Sequence, residues 1–93
     1  MYNIIVEYEW DAAKSAANVR AGRPSFEIIE DFEWETAVIF PSPRYGESRW
    51  AAIGLIGNRL YFVVYTPREG RRRIISLRSA GRQERTRYVR ERT

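Results

Sequence analysis

The spacing of hydrophobic positions changes along the chain, and each change marks an element. Between Tyr2 and Trp10, the residues Ile4, Val6, Tyr8 and Trp10 alternate with Asn3, Ile5, Glu7 and Glu9, the period of two expected of a half-buried strand. Asp11 then offers a carboxylate to the free amides of a first helical turn, and strong helix formers fill Ala12 to Ala21 before Gly22 stops the helix. Ala13, Ala16 and Ala17, with the stem of Arg20, form the face expected to pack closely on a sheet. Ser25, just after Pro24, is suited to cap a second helix that reaches about Trp34. In that segment Phe26, Ile29 and Phe32 recur every third residue, while Glu27, Glu30, Asp31 and Glu33 face outward.

From Thr36 the pattern becomes strand-like. Thr36 to Phe40 ends at Pro41-Ser42-Pro43, because proline cannot donate to a ladder. Arg49 to Ile56 is the next strand, and Gly57-Asn58 marks a tight turn into Leu60 to Thr66, a run apolar on both faces and expected at the sheet centre. Pro67 to Gly70 turns the chain into Arg73 to Arg78, and Gly81 opens a last helix from Arg82 to about Arg92. The order β-α-α-β-β-β-β-α predicts an α+β fold in one domain, residues 1–93. It has a mainly antiparallel sheet, two helices in the N-terminal half and one at the C-terminal end.

Charge alters this picture. From Arg68 onward ten arginines meet only three glutamates, whereas residues 1–67 carry six basic and nine acidic side chains. So local an excess attracts polyanions, because neutralised phosphates release their condensed counterions. Lys14 is the only lysine, and arginine's planar fork suits bidentate phosphate contact. A solvated, salt-bridged helix face is the ordinary explanation of a mixed-charge run, but few acids lie close in sequence to these arginines. The chain contains neither cysteine nor histidine, which excludes disulfides, thiolate metal sites, imidazole catalysis and histidine ligation. No stretch approaches the roughly 20 apolar residues of a membrane span, and no secretory pattern opens the sequence, so a soluble cytoplasmic protein is expected.

Several short motifs occur together. Trp10 through Asn18 reads W-D-x-x-K-x-x-x-N, and Ser25-Phe26-Glu27 follows. Glu47-Ser48-Arg49 precedes Ala52-Ile53-Gly54, and Val63 to Thr66 reads V-V-Y-T. Arg73-Ile74-Ile75-Ser76 is followed by Arg78 and Ala80, then by Glu84, Arg85 and Tyr88. In these residues, over almost its whole length, the chain resembles the BrnT family, ribonuclease toxins of type II toxin–antitoxin systems. The resemblance implies a compact RelE-like fold and RNA cleavage that inhibits translation. It also implies a cognate BrnA-like antitoxin with a ribbon-helix-helix domain, through which alone the pair would meet DNA and repress its own operon. The family commonly carries K-H-G-V before the S-F pair. Here Ala21-Gly22-Arg23-Pro24 stands in its place, so no role of that histidine carries over.

RNA brings its own nucleophile, the 2′-hydroxyl beside each phosphate. A nuclease of this kind has to align that hydroxyl, stabilise charge on the phosphoryl oxygens and help a proton move, with no cofactor or metal expected. Arg49, Arg73 and Arg78 are the candidates for charge stabilisation. Strict alternation sets Arg73, Ile75 and Leu77 on one face and Ile74, Ser76 and Arg78 on the other. Only a bulge or a strand end then lets Arg73 and Arg78 flank one phosphate. On that parity Arg78 and Ser76 occupy the open face and Arg73 the rim. The proton acceptor stays open among Glu47, Tyr65, Tyr88 and Glu84, with an arginine acting only electrostatically as the remaining choice. Lys14, Arg71, Arg72, Arg82, Arg85 and Tyr88 are candidate RNA contacts, with Lys14 and Asn18 one helical turn apart. Three functions compete: a ribonuclease toxin, a catalytically weak or inactive relative that binds RNA or antitoxin, and a basic DNA-binding module. The last has no helix-turn-helix pattern to support it.

Overall fold

The computed structural model describes residues 6–44 and 46–92; the part of the first expected strand that falls on residues 1–5 lies outside them. Strand β1 is Tyr8–Trp10, followed by helix α1 at Ala12–Arg20 and a 3₁₀ helix at Phe26–Asp31. Strands β2 (Val38–Pro41), β3 (Trp50–Ile56), β4 (Arg59–Arg68) and β5 (Arg71–Ser79) come next, and helix α2 (Arg82–Arg92) completes the order. The sheet runs β1-β5-β4-β3-β2, with β2 to β5 an antiparallel meander. β1 lies parallel to β5, with Tyr8 opposite Arg72 and Trp10 opposite Ile74. The class is α+β, as the order of elements predicts.

Asp11 caps α1 by accepting from the amides of Ala13 (2.8 Å) and Lys14 (3.3 Å). The alanine face expected to pack on the sheet does not do so: Ala13, Ala16, Ala17 and Arg20 are exposed, and Ser15 is buried instead. The reason is where α1 lies. β1 stops pairing at Trp10, so β5 runs on with an open edge, and backbone groups there need polar partners. Asn18 Nδ2 donates to the Leu77 carbonyl (2.9 Å) and the Pro24 carbonyl (3.0 Å), while Ser15 Oγ accepts from the Phe26 amide (2.9 Å). Alanine could satisfy none of these groups.

The second helix is 3₁₀ rather than α, and it ends at Asp31 rather than near Trp34. The apolar period foreshadows this, since three residues per turn put Phe26, Ile29 and Phe32 in one row, all buried. They pack with Ala52, Val63, Tyr65, Ile74 and Leu77 from one sheet face to make the main core. Gly54 belongs to the same contact: a Cβ built there would meet Phe32 Cζ at 2.6 Å.

The β4–β5 turn is tighter than the four residues Pro67 to Gly70. β4 runs through Arg68, and Glu69 and Gly70 both take positive φ (52° and 77°), the twist-matched two-residue turn. Pro67 is tolerated because β3 pairs only as far as Trp50 with Tyr65, which leaves one side of Pro67 without a ladder partner. Between Val64 and Tyr65 the β4–β5 register slips: Val64 faces Ser76 and Tyr65 faces Ile74, so Ile75 is an extra residue. The strict alternation expected of β5 is thereby corrected. Ile74 and Leu77 both point into the core at 1% exposure, three residues apart, and Arg73 comes to share the opposite face with Ser76 and Arg78.

On that second face the row Val38–Ile53–Phe62–Arg78 crosses four strands beneath α2. α2 has no buried residue. It docks through charge: the Arg87 guanidinium sits 3.7 Å from the Phe40 ring centroid, and Arg78 sits 4.5 Å from that of Phe62. Glu84 accepts two bonds from Arg78 (2.8 and 2.7 Å) and one from the Gly81 amide (2.7 Å), the carboxylate half of a capping box at the helix start. The Arg78 guanidinium, aided by that amide and opposed by partial burial, holds the Glu84 carboxyl below its usual range.

Two outcomes follow from these contacts. Gly54→Ala gains about 0.4–1 kcal/mol from a stiffer unfolded chain but loses about 1–3 kcal/mol to overpacking against Phe32. Denaturant titration should therefore register net destabilisation, and unchanged or raised stability would refute the Phe32 contact. Because Glu84 is lowered in the folded state, its stabilisation is complete above the unfolded value near about pH 4.3. It is lost as the pH falls through the folded value. The stability gap between the wild type and Glu84→Gln should accordingly close in acid; a gap independent of pH would contradict the Arg78–Glu84 account.

Candidate functional site

Away from α2 the second face of the sheet is open, and there the chain forms a hollow of about 370 Å³. At its base Arg73 of β5 lies opposite Thr66 of β4, and Glu9 of β1 flanks Arg73 from outside the lining. Arg68 follows on β4, Lys14 reaches the hollow from the first turn of α1, and Glu47 and Arg49 come from the segment before β3. That segment is fixed locally. Arg44 and Glu47 exchange two backbone hydrogen bonds (3.4 and 3.0 Å) around Gly46 at φ 76°, and Thr66 Oγ1 donates to the Ser48 carbonyl at 2.6 Å.

Among the described residues, four cations, Lys14, Arg49, Arg68 and Arg73, therefore line the hollow with one carboxylate, Glu47. Arg49 donates to Glu47 Oε2 from Nε (3.1 Å) and Nη2 (2.9 Å). Arg73 Nη1 stands 3.9 Å from Glu9 Oε1 at the β1 edge. Glu47 is a near neighbour of Arg49 in sequence, but the acid beside Arg73 comes from β1, which a local count of the arginine-rich end does not reveal. Among the described residues, no group of three or more acidic side chains is gathered where it could hold a metal ion.

The remaining expected site residues are elsewhere. Arg78 shares the face of Arg73 but is bound to Glu84 over Phe62, so it does not stand ready on the open face, nor is Arg73 confined to a rim. Tyr65 belongs to the opposite face, 6% exposed and edge-on to Trp34 at 5.1 Å, and burial raises its hydroxyl pKa against the opposing pull of Arg72. Arg72 lies over the Trp34 ring at 4.1 Å, and Arg71 pairs with Glu7 at 3.1 Å. Arg82 is exposed on α2, Arg85 donates to the Ala80 carbonyl (2.8 Å), and Tyr88 is half-buried with Arg92 5.9 Å from its ring. Asn18 is turned inward to Leu77 and forms no patch with Lys14. Sequence reasoning missed Thr66, Arg68 and Glu9. Only the strand register brings them to Arg73, although Arg68 stood in view at the end of the apolar run.

No helix among the described residues is long and apolar enough to cross a membrane. No curated protein and no solved structure matches the chain significantly. Residues 10–84 match the family model described as "Ribonuclease toxin, BrnT, of type II toxin-antitoxin system". That span runs from the end of β1 to the first turn of α2 and takes in every side chain lining the hollow. The chain belongs to the BrnT family of ribonuclease toxins of type II toxin–antitoxin systems.

Proposed function

We propose that this chain is an endoribonuclease whose active site is the hollow on the open half of the sheet. The observation that carries this reading is the convergence of Lys14, Arg49, Arg68 and Arg73 around one concavity that also holds a carboxylate. Arg73 and Arg49 bind the non-bridging oxygens of a phosphodiester and stabilise the charge that grows on them during in-line attack. Glu47 takes the proton from the 2′-hydroxyl. The new bond joins O2′ to phosphorus, and the bond from phosphorus to O5′ breaks, leaving a 2′,3′-cyclic phosphate and a 5′-hydroxyl. Lys14 offsets charge on the departing O5′, which takes its proton from solvent. The other candidate bases are less suited: Glu84 is held in its anionic form by Arg78, and Tyr65 faces away.

In the cell this activity would inhibit translation, in a cytoplasmic protein of RelE-like fold. A BrnA-like ribbon-helix-helix antitoxin would silence it and supply the only link to DNA. A second reading has its own support: Glu47 and Glu9 already engage Arg49 and Arg73, an arrangement compatible with a weak or inactive member that binds RNA or antitoxin without cutting.

Strong expression should arrest growth and fragment cellular RNA, and purified protein should leave cyclic phosphate ends. Replacing Arg73 or Arg49 by alanine should lower cleavage by roughly 100-fold, as loss of a charge-stabilising donor does elsewhere. Arg78→Ala should instead lower thermal stability with less effect on cleavage. Unimpaired growth with abundant soluble protein would defeat the toxin reading. Products ending in 3′-hydroxyl and 5′-phosphate would defeat the 2′-hydroxyl mechanism, and RNA bound but left intact would favour the second reading.

A further inference from the structure

The β4–β5 hairpin separates two concavities. Behind the hollow, on the core face of the sheet, lies a pocket of about 410 Å³ lined by Trp50, Tyr65, Pro67, Gly70, Arg71 and Arg72, with Val6 completing it. Pro67 lines both spaces, so they meet at the hairpin arm. Among the described residues, two arginines and no carboxylate line this pocket, although Arg71 is itself paired with Glu7. Trp50 begins β3 opposite Tyr65 and is 37% exposed.

We infer that this pocket is a subsite for a nucleotide flanking the scissile phosphate, whose base stacks on Trp50 and whose phosphate is met by Arg71 and Arg72. The inference rests on the reading of the hollow as an RNA-cleaving site. An exposed indole beside cationic groups is the combination that single-stranded nucleic acid uses, since every base has a face to stack and every nucleotide a phosphate to neutralise. Both arginines can serve. The Arg71–Glu7 pair is a surface contact of little net strength, so a phosphate can replace the carboxylate. Arg72 is already stacked on Trp34, and its Nη1 is buried without a partner among the described residues. A phosphate reaches that donor once the guanidinium turns from the Trp34 ring toward the pocket, exchanging the stacking for a charge-assisted hydrogen bond. Continuity with the hollow favours RNA over protein, because one strand bound at Arg73 has only to cross the hairpin at Pro67 to enter the pocket. Ile39, exposed on the same face, continues the apolar surface, and a protein partner is therefore the competing occupant.

The test compares a cleavage-resistant 2′-O-methyl dinucleotide with an octanucleotide, using wild type, Trp50→Ala and Arg71→Ala, each checked for an unchanged thermal midpoint. Wild type should bind the octanucleotide far more tightly than the dinucleotide. Trp50→Ala should weaken octanucleotide binding by roughly 5- to 100-fold, the range for loss of one stacked base, with dinucleotide binding nearly unchanged. Arg71→Ala should reduce the salt dependence of octanucleotide binding. If Trp50→Ala unfolds the chain, Trp50→Phe, which keeps a stacking ring, and Trp50→Leu, which does not, replace it and should differ in the same direction. Wild type that cleaves RNA while all these variants bind the octanucleotide normally would overturn the subsite alone. Wild type that neither binds nor cleaves would overturn the reading on which it rests. Variants that lose antitoxin binding but keep RNA binding would assign the surface to a protein partner and end the proposal.

Discussion

One extra residue in β5 governs the arrangement of this molecule. With Ile75 bulged, Ile74 and Leu77 both reach the core although they stand three positions apart, and the main hydrophobic cluster closes around both. The same slip carries Arg73 to the face occupied by Ser76 and Arg78. Without it, either Leu77 would leave the core or Arg73 would be driven into it, and burying an unpaired guanidinium costs far more than a bulge. Core and cationic hollow are thus two results of one local irregularity.

The arginine-rich end is divided between support and exposure. Arg78 and Arg87 lie on aromatic rings and hold α2 where apolar residues would ordinarily do so, while Arg72 covers Trp34. Arg68 and Arg73 line open surface, joined there by Arg49 from far earlier in the chain. A net charge read from composition counts all of these alike. Residues of the family pattern divide in the same way: Asp11, Asn18, Gly54 and the Arg78–Glu84 pair are explained by caps, an edge carbonyl, a close ring contact and a helix start. Glu47, Arg49 and Arg73 have no comparable place in the core.

Much of the fold was legible because it is encoded by near neighbours. Asp11 and Ser25 announce their caps, Gly57 its turn, and the period of Phe26, Ile29 and Phe32 a row facing inward. What stayed hidden depends on residues far apart. Nothing local tells that Asn18 will find Leu77, that Glu9 will lie beside Arg73, or that polar rather than small side chains will hold α1 to an open strand edge. Gathering Lys14, Glu47, Arg49 and Arg73 could be anticipated only as a set of residue types. Excluding Arg78 and Tyr65 required the bulge and the identity of their partners.

The parallel pairing of β1 with β5 has a consequence for synthesis. Tyr8 and Arg72 are neighbours across the sheet, yet α1 and three other strands lie between them in sequence, and closing so long a loop has to precede any gain from the contact. A nascent polypeptide still emerging from the ribosome carries Lys14 and Arg49 but lacks the strand that assembles them with Arg73. The cluster can come together only after β5 itself has been made.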